Sequence, residues 1–257
     1  MKKEIGIGII DLYTEEDLQN CWDSIPTEYK NHDDLLTRVY IVSNNKNKYI
    51  SEGQQKKYTT AVQMATMRNH LISQMRLRGC KHYFIICSNQ VIKDQSVFEN
   101  TIKIAETFGT NFITGPEISN LTIEDDENNQ TLTLSNKLNT NFIYINSDVI
   151  SKLGYFDERY FNTKDLDVLD YIYKLREKEM YPPKGYNPVI VGDITSSNSK
   201  IQKENHKELP NQDKDIQMSY AYFMHVHKII PLNDEEAVSK DDLMASLEKI
   251  QTNYAKK

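Results

Sequence analysis

The chain has 257 residues, with 31 Lys+Arg against 37 Asp+Glu, a net charge of −6 and a pI near 5.6. The acidic balance argues against a protein that holds nucleic acid by bulk charge, and no apolar run approaches the ~18–20 residues that span a bilayer. The apolar stretch at residues 5–10 runs straight into Asp11, too early for a signal peptide, so a cytoplasmic protein, or an intracellular one encoded by a virus, is expected.

Ile5-Gly6-Ile7-Gly8-Ile9-Ile10 is rich in β-branched residues and predicts a buried strand. A loop follows over 11–14. Thr14 with Asp17 three residues on forms a variant capping box. It opens a helix carrying Leu18, Cys21, Trp22 and Ile25 at helical spacing, which Pro26 ends. Val39-Tyr40-Ile41-Val42 is a second strand, stopped by Ser43-Asn44-Asn45. Residues 59–78 predict a long helix, with Gly79 at the position that stops it. Strands at 83–87 and 111–115 flank a helix at 97–108. Such alternation predicts an α/β fold with a mostly parallel sheet covered on both faces. Ligands of such sheets bind outside the carboxyl ends of the strands, here the loops 11–14, 43–47, 88–93 and the segment after Gly115.

The second half is more polar. A hairpin is expected pairing 121–123 with 131–134, then a strand at 141–145 and a helix at 147–153 ended by Gly154. A helix over 166–180 stops before Pro182-Pro183, and a short strand follows at 189–191. Residues 195–215 lack periodicity and are expected to be flexible. Helices at 219–230 and 240–254 complete the chain, so a main domain over 1–218 and a helical extension over 219–257 are expected. Cys21, Cys80 and Cys87 show no metal-ligand spacing and read as buried, reduced thiols. No phosphate loop is present, since Gly6-x-Gly8 lies inside the strand.

Four local patterns bear on function. One is the first strand with its loop and helix, followed by Val39-Tyr40-Ile41-Val42-Ser43-Asn44. The second is Met67-Arg68-Asn69. The third is Tyr83-Phe84-Ile85-Ile86-Cys87-Ser88-Asn89-Gln90. The fourth is Gly154-Tyr155-Phe156-Asp157-Glu158 with Lys164-Asp165-Leu166-Asp167. Together, over roughly residues 4–195, they resemble the GT-A glycosyltransferases, in particular the family-2-like inverting enzymes. The resemblance implies a Rossmann-like GT-A domain that moves a sugar from a nucleotide-sugar donor to an acceptor the sequence does not identify. It implies Asp11, Ser43, Asn44, Arg68, Ser88 and Gln90 at the donor and Asp165 as the base.

The chemistry explains the family's pattern. Departure of a nucleoside diphosphate builds negative charge, which a divalent cation or a basic side chain must stabilise. Mn²⁺ and Mg²⁺ want carboxylate oxygens, and an inverting transfer wants a base for the acceptor hydroxyl. This chain departs from the pattern. Ser88 and Gln90 stand where the family has Asp-x-Asp, Ser43 replaces an acidic residue, and Lys164 replaces a carboxylate. A requirement for Mn²⁺ or Mg²⁺ is therefore expected to be weak or absent, with Lys93 and Arg68 left for the leaving group.

Each residue also has a plainer reading. Asp165 could cap the helix at 166, Asp157 could fix the turn after Gly154, and Arg68 could be a surface residue paired with a carboxylate. Asp94 is a replacement metal ligand or a loop residue. His225 and His227 could share a metal ion on a strand, but on a helix they point about 200° apart. The tyrosines of 155–160 and 171–173 either stack on a ligand or pack. Two functions follow: a transferase with little or no metal dependence, or a catalytically inactive module that binds a protein partner or a second copy of itself.

Overall fold

The computed structural model describes residues 4–30, 39–43, 64–117, 121–160, 165–197, 212–228 and 238–255. Asn44 and Lys164 lie outside these residues. In chain order the elements begin with β1 (Ile5–Asp11), α1 (Glu15–Ser24), α2 (Thr27–Lys30), β2 (Val39–Ser43), α3 (Met64–Leu77), β3 (His82–Cys87), β4 (Gln90–Ile92), α4 (Val97–Phe108) and β5 (Phe112–Gly115). They continue with β6 (Leu121–Asp125), β7 (Gln130–Ser135), β8 (Phe142–Asn146), α5 (Ser147–Leu153), α6 (Leu166–Glu177), β9 (Asn187–Pro188), β10 (Ile194–Ser196), α7 (Gln212–His227) and α8 (Lys240–Ala255).

Alternation along β1 sets the layers. Ile5, Ile7 and Ile9 enter a core with Leu18 and Cys21 of α1 and Phe98 and Ile102 of α4. Ile10 enters the opposite core with Met67, Leu71 and Met75 of α3 and Val168 and Tyr171 of α6. The glycines between them serve packing. A Cβ on Gly6 would lie 2.7 Å from Met75 Cγ, and one on Gly8 2.9 Å from Leu71 Cδ1. The Gly6-x-Gly8 pattern therefore lets α3 lie close on the strand.

The central sheet has the order β2-β1-β3-β8-β5. β1 pairs with β2 and β3 in parallel, and β8 pairs antiparallel with both β3 and β5. One strand thus runs against four, and the fold is α/β with a mostly parallel sheet flanked by helices. The capping box of α1 forms as expected, with Asp17 N–H donating to Thr14 Oγ1 at 3.1 Å. The hairpin is also found, with Ile123 opposite Leu132. The three cysteines are free and buried. No helix among the described residues is long and apolar enough to cross a membrane.

Several local expectations change. Thr195 and Ser196, expected to begin a flexible stretch, belong to β10, which pairs antiparallel with β4, Ser196 opposite Gln90. That partner lies 106 residues away, so no local periodicity announces it. Where a strand was expected over 189–191, β9 lies at Asn187–Pro188 and Val189 makes a lone bridge to Thr114. α6 stops at Glu177 rather than at residue 180, because Glu179 turns left-handed at φ +54°. α7 begins at Gln212 and packs Phe223 against Tyr160, Leu166 and Leu169, which places it on α6. α8 inserts Leu243, Leu247 and Ile250 beside Phe108 and the β7 residues Leu132 and Leu134.

Candidate functional site

The carboxyl ends of β1 and β3 lie side by side, and the turn between β3 and β4 and the start of α6 come near them; this edge of the sheet is termed the mouth. Two sequence patterns nearly 90 residues apart meet beside it. Asn69 of α3 donates through Nδ2 to Phe156 O at 2.9 Å and to Glu158 Oε1 at 2.8 Å, and accepts from Phe156 N–H at 2.9 Å. Its neighbour Arg68 forms an ion pair with Asp167 of α6 and lies over the Phe156 ring at 5.7 Å. Both charged side chains are buried, at 0 % and 1 % exposure. Burial pushes the Asp167 carboxyl up, against the pull of Arg68. The sequence reading weighed a ligand-facing or a surface arginine, and the structure places Arg68 in the core.

At the mouth itself, Asp11 ends β1 and accepts from Ser88 Oγ at 3.3 Å. Ser88 and Gln90 are both fully buried. Gln90 Nε2 donates to Asn89 Oδ1 at 2.9 Å and to Ser196 Oγ at 3.0 Å, and Ser196 Oγ donates back to Gln90 Oε1 at 3.1 Å. Ser197 Oγ donates to Asp17 Oδ1 at 2.6 Å, and Ser197 N–H donates to Asn89 O at 2.8 Å. β10 and Ser197 therefore lie across the Ser88–Gln90 turn and close it with neutral hydrogen bonds. Ser43 pairs with Asp11 at the end of the β1–β2 ladder.

Asp165 precedes α6 but makes no side-chain capping bond. Its Oδ1 accepts instead from Thr140 Oγ1. Tyr13 joins this end of the site. Burial, and then the charges of Cys87, Asp17 and Asp165, push its phenol well above the usual range, so it stays a protonated donor. Tyr13, Asp17, Thr140 and Ser196 were not read from sequence as site residues. Only Asp17 carried a signal, and that signal was its capping pattern.

A divalent cation prefers several anionic oxygens. Ser88 and Gln90 offer neutral atoms already engaged with Asp11, Asn89 and Ser196, so this donor set does not fit one. Among the described residues no group of three or more His, Cys, Asp or Glu could hold a metal ion. His225 and His227 lie on α7 and diverge, His225 exposed and His227 packed inward. His227 Nε2 lies 2.9 Å from Asp170 Oδ1, which also accepts from Tyr160 OH at 3.1 Å. Asp170 Oδ2 lies 2.6 Å from Lys174 Nζ. Asp157 is held by Arg159 Nε at 2.8 Å and by Tyr222 OH at 3.1 Å. Asp94 accepts from Ser96 N–H and Oγ, both at 2.8 Å.

No protein-family model matches the chain, and no curated protein sequence matches it. Solved structures are similar at low identity. TarS 1–349 of S. aureus is 10 % identical over 88 % of this chain and 73 % of its own, at a TM-score of 0.44. The mannosyltransferase PcManGT of Pyrobaculum calidifontis, solved with GDP-Man and Mn²⁺, is 9 % identical over 98 % of this chain and 73 % of its own, at 0.45. The 4-diphosphocytidyl-2C-methyl-D-erythritol synthase of Anaerococcus prevotii is 13 % identical over 87 % of this chain and all of its own, at 0.39. These likenesses concern the course of the backbone and carry nothing about chemistry.

Proposed function

We propose that the mouth at the ends of β1 and β3 is the donor site of a GT-A, family-2-like glycosyltransferase that works without a resident metal, with Asp165 as its base. The supporting observation is the state of Asp165. Its carboxylate accepts from Thr140 Oγ1 and is not engaged in capping α6. In this reading the acceptor hydroxyl attacks the anomeric carbon, Asp165 takes the hydroxyl proton, and the bond from sugar to diphosphate oxygen breaks. Asp11, Ser43, Asn44, Ser88 and Gln90 line the donor. Arg68 orders the mouth through Asp167, and Lys93 supplies positive charge for the leaving diphosphate. The protein acts in the cytoplasm, with α7 and α8 as a helical extension.

The test is a thermal-shift and calorimetric series with UDP, GDP, CDP and dTDP and their sugars, with and without Mn²⁺. A ligand that binds only the folded state must raise its stability. The expected result is a shift that Mn²⁺ does not change. Asp165→Asn should keep that shift and lower kcat by roughly 10²–10⁴-fold. A shift that requires Mn²⁺ overturns the metal-free reading.

One observation favours a second reading, a binding module that has lost catalysis. Ser88, Gln90 and Asp17 all bond to another part of the same chain, as they would in a mouth that no longer opens for a ligand. Absence of any shift with every nucleotide supports that reading, and a search for a protein partner or self-association then follows.

A further inference from the structure

A second concave feature lies between α4, β7 and the segment 189–193. It is a cleft of about 160 Å³. Ile104 of α4, Ile113 of β5, Leu132 of β7 and Ile190 form its apolar part, with Asn100, Thr101, Thr131 and Thr133 beside them. At its rim stands Asp193, delivered by the turn at Gly192, whose φ is +85°.

The backbone of Asp193 is fixed. Its carbonyl accepts from the N–H groups of Lys93 at 2.7 Å and Asp94 at 3.3 Å, and the next residue begins β10. The side chain is treated differently. Among the described residues the Asp193 carboxylate has no hydrogen-bond donor and no cationic partner. Burial, and then the neighbouring charge of Asp94, push its carboxyl up. A partly buried carboxylate beside a second negative charge is costly unless a cation meets it. The volume of about 160 Å³ suits a short chain of a few carbons, which the apolar side chains can cover along one side.

We propose that this cleft binds a short aliphatic amine, its alkyl tail on Ile104, Ile113, Leu132 and Ile190 and its ammonium on Asp193. The arrangement selects on both ends of the ligand. A neutral alcohol of equal length gains the apolar contacts but leaves the carboxylate unmet. A carboxylic acid of equal length meets repulsion from Asp193 and Asp94.

The test titrates ¹⁵N-labelled full-length protein with 1-aminopentane, 1-pentanol and pentanoate at pH 7.5 and constant ionic strength. Saturable shifts confined to the amides of 131–133 and 189–193 are expected for the amine. Its binding should be at least ten-fold tighter than that of pentanol, and pentanoate should produce no saturable shift. Asp193→Asn should bring the amine down to the affinity of pentanol. Val191→Trp, at an exposed position on the rim, should fill the opening, weaken the amine at least ten-fold and leave Asp193 in place. Three results each overturn the proposal: no saturable binding of the amine, equal affinity for amine and pentanol, or unchanged amine affinity in both variants.

Discussion

The mouth and the cleft treat their carboxylates in opposite ways. At the mouth, Asp11 meets Ser88, Asp17 meets Thr14 and Ser197, Asp165 meets Thr140, and Asp167 meets Arg68. In the cleft, Asp193 is partly buried with Asp94 as its charged neighbour. Burial alone raises the free energy of a charged group, and hydrogen bonds or an opposite charge offset that cost. Each of these carboxylates therefore has a partner within the chain, although burial still holds the Asp167 carboxyl above its usual range. The cleft carries a penalty that a ligand can relieve. An acidic residue becomes informative about binding when the chain itself leaves it unanswered.

The largest test of this contrast is at Arg68. Arg68→Met leaves Asp167 buried without its guanidinium and should cost about 3–5 kcal/mol in urea unfolding. The double change Arg68→Met with Asp167→Leu should recover most of that loss, because apolar groups of similar volume often replace a buried ion pair without penalty. A double variant as unstable as the single one would mean that the pair itself holds α3 to α6.

Smaller effects are expected where β10 closes the mouth. Gln90→Ala removes a fully buried side chain with its bonds to Asn89 and Ser196, and Ser197→Ala removes one donor from Asp17. Each should cost about 1–2 kcal/mol, and protection of the β10 amides in hydrogen exchange should fall first.

The pH dependence of stability sharpens the contrast, since Asp157 and Asp193 have opposite signs. For Asp157, burial raises the carboxyl, but the bonds from Arg159 and Tyr222 outweigh it and the net shift is downward. Its contribution is present above the unfolded-state value and is lost as the pH falls through the folded one. Asp157→Asn should therefore destabilise at pH 7, and the difference should vanish in acid. Asp193 is shifted upward, so stability falls as the pH rises from the ordinary carboxylate range through its folded value. Asp193→Asn should be neutral or slightly stabilising at pH 7, with no difference below the ordinary range. Urea unfolding between pH 3 and 7.5 checks both, and equal signs would refute the contrast.

Much of the scaffold can be read from local pattern. The apolar run at 5–10, the Thr14–Asp17 cap, the helix at 97–108 and the hairpin about 126–129 each depend on neighbours a few residues away. Each appears within a residue or two of its expected place. The two motifs around Arg68-Asn69 and Phe156-Asp157-Glu158 were also visible as motifs. Their mutual contact was not, because Asn69 and Phe156 are joined through space rather than by spacing.

What the sequence by itself determined is the set of local elements, the mostly parallel α/β class and the neutral residues Ser88 and Gln90 after β3. Tertiary structure alone decided that β8 runs against its neighbours, that residues 194–196 form a strand over Gln90, and that Arg68 is a core residue. It also decided that His227 serves Asp170 and that Asp165 turns to Thr140 instead of capping α6. The reason is one of range. Helix periodicity, caps and tight turns arise from energies between near neighbours. Strand direction, burial of a charge and the choice of a carboxylate's partner depend on which distant segments the folded core brings together.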